Sequence, residues 1–413
     1  IALGSYQKAE SLTTWLEKAP TPWTIEALNL QGEIQYAQDS ADKALLLWQK
    51  ALSLAQGTPF QNHPFVATTW HNLSNYYIDI QQYSLADSLL RTALTLRQAA
   101  LGTQHADYAE TLNQLVVSTF SQGNLAEAES LLTYLLAWYD SLHTPQSIGY
   151  RRTILSLGNL YIDKGLYAQA ESLLVALWKE DSLHPILSFP EQIEVLKSAG
   201  LAASYQNRAI YAEYYYKKAL KMMQDNPNKA PTSYYLSTLN NLAALYNETE
   251  RLEEAEKLYE EAQTGWESLG QLQHAAYLGT LSNRAVVASE IGQYGLAERL
   301  YLLARLRVIE PNARLTQQYL IQTFNLAMLY ADLGRKNERD ALLQEFEEGW
   351  KQKNYPLSSP TYLTYLNFLA VRAKSEENFA LAESLYKNLI ASAPSQRRSS
   401  SNLAHISSYA NYL

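Results

Sequence analysis

The chain has 413 residues, a formal net charge of −8 at pH 7 and no cysteine. An acidic chain without clustered Lys and Arg argues against a nucleic-acid partner, because phosphate backbones are bound by clustered cations. The lack of cysteine excludes disulfides, thiolate metal sites and cysteine nucleophiles within these residues. No apolar run approaches the roughly 18 residues of a membrane helix.

A helix, a short turn and a second helix are predicted for residues 238–259, which read TLNNLAALYNETERLEEAEKLY, and this pattern recurs along the chain. One alanine of the second helix marks the repeat, at Ala9, Ala44, Ala86, Ala128, Ala170, Ala212, Ala255, Ala297, Arg339 and Ala382. After the first step, every interval between these markers is 42 or 43 residues. Such a period is typical of a solenoid whose units bury their apolar faces only against neighbouring units.

Fixed offsets from the marker support this interpretation. The residue twelve positions before it is small in nearly every unit, as in Gly158 and Gly200, which close contact between two helices requires. Five positions before it lie turn residues such as Gly123 and Asn207, which tolerate positive φ. All thirteen prolines are predicted to lie in the connections that lead to the next first helix, since proline costs about 3 kcal/mol inside a helix.

The code of small and large residues is clearest in Trp70, Leu73, Ser74, Tyr77, Ala86, Leu90 and Ala93. This code resembles that of the tetratricopeptide repeat. That repeat is usually about 34 residues long, and the longer unit here, with the words LNNLA, AEKLY and LGTQH, is similar to that of kinesin light chains and bacterial sensor proteins. The resemblance covers essentially the whole chain and implies an all-α, right-handed superhelical solenoid of antiparallel helix pairs.

We therefore expect a single solenoid over residues 1–413, with nine complete helix pairs from about Ile25 to Ile406. Because the first and last units are incomplete, we interpret the sequence as a fragment of a longer chain. The predicted units are 1–24 (partial), 25–66, 67–108, 109–150, 151–192, 193–235, 236–277, 278–319, 320–362, 363–406 and 407–413 (partial).

Motifs of catalysis and metal binding are absent from the sequence: there is no Gly-rich phosphate loop, H-E-x-x-H, G-x-S-x-G or EF-hand pattern. We therefore predict that these residues are not an enzyme and bind no cofactor or metal. Six histidines fall near connections and are expected to cap them, because helices about 8–10 Å apart cannot share one ion. They are His63, His105, His143, His184, His274 and His405.

Two arginines break the repeat code. Arg284 replaces a leucine of one first helix, and Arg339 replaces the marker alanine of the next unit. Both positions are usually buried, where an unpaired charge is costly. We expect salt bridges with Glu290, Glu298 or Asp340, or a locally loosened joint.

The tetratricopeptide resemblance implies that first helices line a concave surface that holds peptides. Two sets of positions, fifteen and eleven before the marker, share one helix face and are rich in Asn, whose amide can donate to and accept from a peptide backbone. The predicted peptide-binding residues are Asn29, Glu33, His71, Asn75, Asn113, Asn159, Asn240, Asn247 and Asn367. The alternative interpretation is that these side chains bond only to neighbouring helices along the stack.

Acidic residues are expected to rim the same groove, at Glu26, Glu110, Glu194, Asp79, Asp163, Glu248, Glu290 and Asp332. They favour a neutral or basic protein or peptide partner, without nucleic acid and without membrane insertion. The sequence thus predicts a cytoplasmic, non-enzymatic scaffold or sensor module that holds an extended segment.

Two other functions stay open. The array resembles the N-terminal repeats of bacterial proteases that carry a caspase-like CHAT domain. In that case the catalytic domain lies beyond residue 413 and is itself a partner of the repeats. The third alternative is a purely architectural spacer.

Overall fold

The computed structural model describes residues 21–38, 40–80, 82–142, 144, 147–308, 316–357 and 359–392. Within these residues there are eighteen α-helices and no strand. The helices are α1 Pro22–Ala37, α2 Ala41–Ala55, α3 Pro64–Asp79, α4 Tyr83–Leu101, α5 Ala106–Ser121, α6 Leu125–Ser141, α7 Ile148–Asp163, α8 Tyr167–Leu183, α9 Phe189–Tyr205, α10 Ala209–Asp225, α11 Thr232–Glu248, α12 Leu252–Ser268, α13 Ala275–Glu290, α14 Tyr294–Arg307, α15 Gln317–Asp332, α16 Lys336–Gln352, α17 Pro360–Ser375 and α18 Phe379–Ser392.

The odd-numbered helices are the first helices of the predicted units and the even-numbered helices are the second. They make nine antiparallel pairs in the described part of the chain, so the all-α repeat solenoid is confirmed. Helices α1–α8 belong to a compact unit of residues 1–187, and α9–α18 to another of residues 188–413. The partial units predicted for 1–24 and 407–413 lie largely or wholly outside the described residues, and the handedness of the superhelix stays a prediction.

Where the residue twelve before the marker is glycine, a large side chain of the second helix packs directly on it. A Cβ atom added to Gly158 would lie 2.6 Å from Cδ2 of Leu174, and one added to Gly200 would lie 2.6 Å from Cε1 of Tyr216. Real Cβ atoms do not approach so closely, so a larger residue at either position requires the opposing side chain to move. The rule that the residue twelve before the marker is small therefore has a steric cause.

The turn between the helices of a pair has the predicted positive φ. The residue five before the marker has φ +76° at Gly123 and φ +59° at Asn207. Glutamates at the same offset, Glu250 and Glu377, also adopt positive φ, at +61° and +58°. The offset thus determines the backbone conformation even where the sequence gives no turn residue.

Prolines and histidines begin the first helices. Pro22, Pro64 and Pro360 are the first residues of their helices and Pro190 is the second residue of α9, which corrects the prediction that every proline lies in a connection. Proline is tolerated there because the first N–H groups of a helix have no intrahelical acceptor. The capping role is confirmed for three histidines, whose Nδ1 atoms accept from backbone N–H groups at 3.1–3.3 Å. These are His63, His105 and His274, whereas His143 and His405 lie outside the described residues.

Arg284 is satisfied, but by different acids than predicted. Its guanidinium reaches back to α12, where it lies 2.7 Å from Glu256 and 3.0 Å from Glu260 and donates to Gln263 at 2.8 Å. The prediction of Glu290 and Glu298 was wrong because the side chain points towards the second helix of the preceding pair. The predicted bridge of Arg339 with Asp340 is present at 2.9 Å.

The steric rule gives a first prediction. Gly158→Ala should destabilise the chain by about 1–3 kcal/mol through overpacking against Leu174. The matched control is Gly279→Ala in α13, where an added Cβ meets nothing within 4 Å. That change should stabilise by about 0.5–1 kcal/mol, because alanine loses less backbone entropy than glycine. Urea unfolding measures both; a stabilising Gly158→Ala would contradict the packing.

The charge cluster of Arg284 gives a second prediction. Arg284→Met should cost about 3–5 kcal/mol of unfolding free energy, because it leaves Glu256 partly buried without its cation. The double variant with Glu256→Gln should recover much of that loss. Equal stability of the wild type and Arg284→Met would show that the guanidinium does not hold α12 and α13 together.

Candidate peptide-binding face

Within each unit, successive first helices contact each other: α1, α3 and α5 in the first unit, and α9, α11, α13 and α15 in the second. Residues eighteen, fourteen, eleven and seven before the marker are three or four apart, so they share one face of each helix. We call this the first-helix face. In α11, α13 and α15 it consists of Ser237, Asn241, Ala244, Glu248, Gly279, Asn283, Val286, Glu290, Ile321, Asn325, Met328 and Asp332; in α1, α3, α5 and α7 it consists of Glu26, Leu30, Glu33, Ala37, Thr68, Asn72, Asn75, Asp79, Glu110, Gln114, Val117, Ser121, Arg152, Ser156, Asn159 and Asp163.

The predicted residues fifteen before the marker lie mostly inside the stack. Asn29 is fully buried; its Nδ2 donates to the carbonyl of Phe65 at 2.8 Å and its Oδ1 accepts from Thr69 at 2.8 Å. Both ends of this amide are therefore used by the next helix pair. For Asn29, the structure supports the alternative interpretation of bonding along the stack.

His71, Asn113 and Asn240 also have partners within the protein. His71 is buried and its Nδ1 lies 3.5 Å from Oγ1 of Thr111, and burial lowers the pKa of His71 to about 4, so the imidazole is neutral at pH 7. Asn113 hydrogen-bonds the Tyr139 hydroxyl, and Asn240 accepts from Nδ2 of Asn283 at 3.4 Å. These three side chains therefore make contacts within the protein that help to position neighbouring helices.

Four predicted asparagines have no side-chain partner among the described residues: Asn75, Asn159, Asn247 and Asn367. The Oδ1 atoms of Asn75 and Asn247 are moreover inaccessible to solvent and accept no hydrogen bond. Glu33 is exposed and accepts from Nδ2 of Asn72 at 2.8 Å. The predicted set thus divides into amides used by the stack and amides that are free.

A second row of polar residues was missed by the sequence analysis. Fourteen positions before the marker stand Asn72, Asn241, Asn283 and Asn325. Asn241 and Asn325 form no side-chain hydrogen bond with another described residue. The signal was present in the word LNNLA, whose two asparagines occupy the fifteenth and the fourteenth position, and only the first was considered.

The acids seven before the marker lack cations. Asp163, Glu248, Glu290 and Asp332 form no ion pair with any residue that the structure describes. Burial raises the pKa of Asp163 and of Glu290. Some acids on the second helices are paired, as Glu213, Glu298 and Asp340 are with arginines at 2.8–2.9 Å. The four acids seven before the marker thus add negative charge without a paired cation to the first-helix face.

The described ranges contain neither a candidate metal-binding cluster nor a candidate membrane-spanning helix. These residues contain no group of three or more His, Asp or Glu side chains that could hold a metal ion. None of their helices is long and apolar enough to cross a membrane.

Comparison with known proteins agrees with the repeat. The sequence profile of the tetratricopeptide repeat matches residues 23–99, 66–137 and 234–305. No curated protein matches the chain. Over about half of its length (51%, and 98% of the other chain) it also resembles a putative kinesin light chain at 17% identity, but a TM-score of 0.44 is too low to indicate a shared arrangement of helices.

Two other proteins have similar solved structures. The apo form of the quorum sensor NprR from B. thuringiensis has a TM-score of 0.58 at 12% identity, covering 89% of this chain and 98% of that one. Apo RapI has a TM-score of 0.57 at 10% identity, covering 91% of this chain and 98% of that one. At such low identity these similarities establish the fold alone. The matched segments, the nine helix pairs of the described residues and their small-on-large code show that this chain contains tetratricopeptide repeats.

Proposed function

We propose that the chain is a non-enzymatic module that binds an extended segment of a protein partner on its first-helix face. NprR has also been solved in complex with its cognate peptide NprX, at a TM-score of 0.55 to this chain. That complex shows that a solenoid of similar fold accepts a peptide. The residues that would bind a peptide in this chain follow from its own side chains.

The observation that carries the proposal is the unsatisfied amide oxygen of Asn75 on the first-helix face. A buried acceptor without a donor costs about 1–3 kcal/mol. An extended segment presents an N–H and a C=O at every residue and can satisfy both ends of an Asn side chain. From the predicted set we therefore keep Asn75 and Asn159 and add the missed Asn241 and Asn325, since Asn247 and Asn367 stand eight and fifteen before the marker, off this face.

The charge of the first-helix face indicates which kind of segment would bind there. The acids of the first-helix face lack cations of their own, so a neutral or basic segment would be favoured over an acidic one. Association with a basic segment should weaken as salt is raised, because the carboxylates are accessible to solvent ions.

A finer proposal concerns the parent protein. The resemblance to the repeats of CHAT-domain proteases suggests a regulatory role for this array beside a catalytic domain. This second proposal rests on the sequence pattern alone, and a His and Cys pair in an α/β segment of the same polypeptide would support it.

The test is a random peptide library displayed on phage and selected on the wild type. Asn75→Ala with Asn159→Ala tests the first unit, and Asn241→Ala with Asn325→Ala tests the second. Each change should lose about 0.5–1.5 kcal/mol of binding free energy, or about 2–12-fold in Kd. The matched control is Asn388→Ala, which removes an exposed amide from the second helix α18.

Isothermal titration calorimetry with the selected peptides gives the affinities, and circular dichroism checks that helicity is unchanged. If both double variants bind as tightly as Asn388→Ala, or if the selected peptides are predominantly acidic, the assignment of the first-helix face is wrong.

A further inference from the structure

In three consecutive helix pairs of the second unit, the large residue four after the marker is a tyrosine. Tyr216, Tyr259 and Tyr301 lie four residues after the marker, on α10, α12 and α14, and their exposed fractions are 1%, 1% and 5%. The corresponding residues of the first unit are Trp48, Leu90, Leu132 and Leu174. Of these seven residues, only the tyrosines carry a hydroxyl group.

Helices α10, α12 and α14 each pack on the following first helix, which carries Glu248, Glu290 or Asp332. Burial and the charge of Glu248 raise the pKa of Tyr216, and burial with the charges of Asp332 and Glu290 raises that of Tyr301. Tyr259 lies beside Glu248 and Glu290 in the same way, and it hydrogen-bonds Asn283. The hydroxyls of Tyr216 and Tyr301 form no hydrogen bond with a described residue, although both side chains are more than nine-tenths buried.

Each place therefore offers oxygen atoms and no cation paired with its acid, although Glu248 also accepts a hydrogen bond from Oγ of Ser204 at 2.9 Å. A carboxylate is an acceptor only, and a phenol oxygen has lone pairs to accept with. A charge-assisted hydrogen bond to a carboxylate is about twice as strong as a neutral one. An ammonium or guanidinium group supplies several N–H donors and the missing charge.

We propose that Tyr216 with Glu248, Tyr259 with Glu290 and Tyr301 with Asp332 form three successive sockets for the basic side chains of one partner segment. The proposal rests on the function proposed above and defines the partner: a segment in the polyproline II conformation with Lys or Arg at every third residue.

The spacing of the helices supports this register. First helices that pack on each other lie about 8–10 Å apart, and α11, α13 and α15 do so in sequence. A polyproline II segment has three residues per turn and rises about 3.1 Å per residue, so every third side chain points the same way about 9 Å further on. A β-strand places its same-facing side chains only about 7 Å apart.

The surface between the sockets fits the rest of such a segment. Val286 is 37% exposed and Met328 is partly exposed, and they offer apolar contact to intervening residues such as proline. The backbone of polyproline II has no internal hydrogen bonds. Its carbonyl groups are therefore available to the free amides of Asn241 and Asn325.

The chain contains its own control. Asp163 of the first unit occupies the same offset as Glu290 and also lacks an ion pair, but the residue that corresponds to the tyrosine is Leu132. Removal of either acid lowers the negative charge equally. Only removal of Glu290 removes part of a socket.

Fluorescence anisotropy of two labelled nine-residue peptides tests the proposal. Their sequences are KPPKPPKPP and its isomer KKKPPPPPP, which has the same charge and composition. We expect the first peptide to bind at least about fivefold more tightly, since its cations alone are in register. Glu290→Gln should weaken it by about fivefold and Tyr301→Phe by about two- to fourfold, whereas Asp163→Asn should leave it unchanged.

The proposal is wrong if the isomer binds equally well, if Asp163→Asn weakens binding as much as Glu290→Gln, or if Tyr301→Phe has no effect. Thermal melts show whether each variant keeps the wild-type fold. Should library-selected peptides bind through the asparagines while KPPKPPKPP does not, the sockets fail and the proposed function stands. If neither kind of peptide binds, both fail.

Discussion

The contact between a small residue of each first helix and a large side chain of its partner determines most of this structure. Where the small residue is Gly158 or Gly200, even one added carbon would overlap the opposing side chain. The close approach fixes the two helices of a pair, and it leaves the residues at four other offsets on an open face. The same contact places the ring of Tyr216 against Gly200. Packing and candidate function therefore depend on one steric rule.

Polar residues of the first helices consequently serve two purposes. Those directed at the next helix pair form hydrogen bonds within the stack, as Asn29 does with Thr69. Those on the first-helix face are left without partners among the described residues, as Asn75 and Asn325 are. Unpaired acceptors and unpaired acids reduce stability, and the paired arginines and acids of the second helices show that this chain does pair charges elsewhere. The free groups on this face are the basis of the proposal that it binds a partner.

Local rules allowed much of this to be predicted from the sequence. The period, the small residues and the positive φ of Gly123 act over one helix pair, so pattern alone identifies them. The peptide-binding residues were predicted less accurately. Residues fifteen and eleven before the marker share a helix face, but the next helix pair buries them to different extents. The sequence pattern also did not predict which acids pair with Arg284 and Arg151. Arg284 and Glu256 are 28 residues apart, and the buried pair Arg151 and Asp181 is 30 residues apart. Such pairs depend on side-chain rotamers, which no periodicity encodes.

The central claim is that partners bind the first-helix face, and the lack of cysteine makes it directly measurable. Single cysteines at Val286, on that face, and at Ile210, exposed on the second helix α10, can each carry an environment-sensitive fluorophore. Titration with a library-selected peptide should change the emission of the label at position 286 saturably and leave that at position 210 unchanged. A response at position 210 alone would place the partner on the second helices and contradict the account.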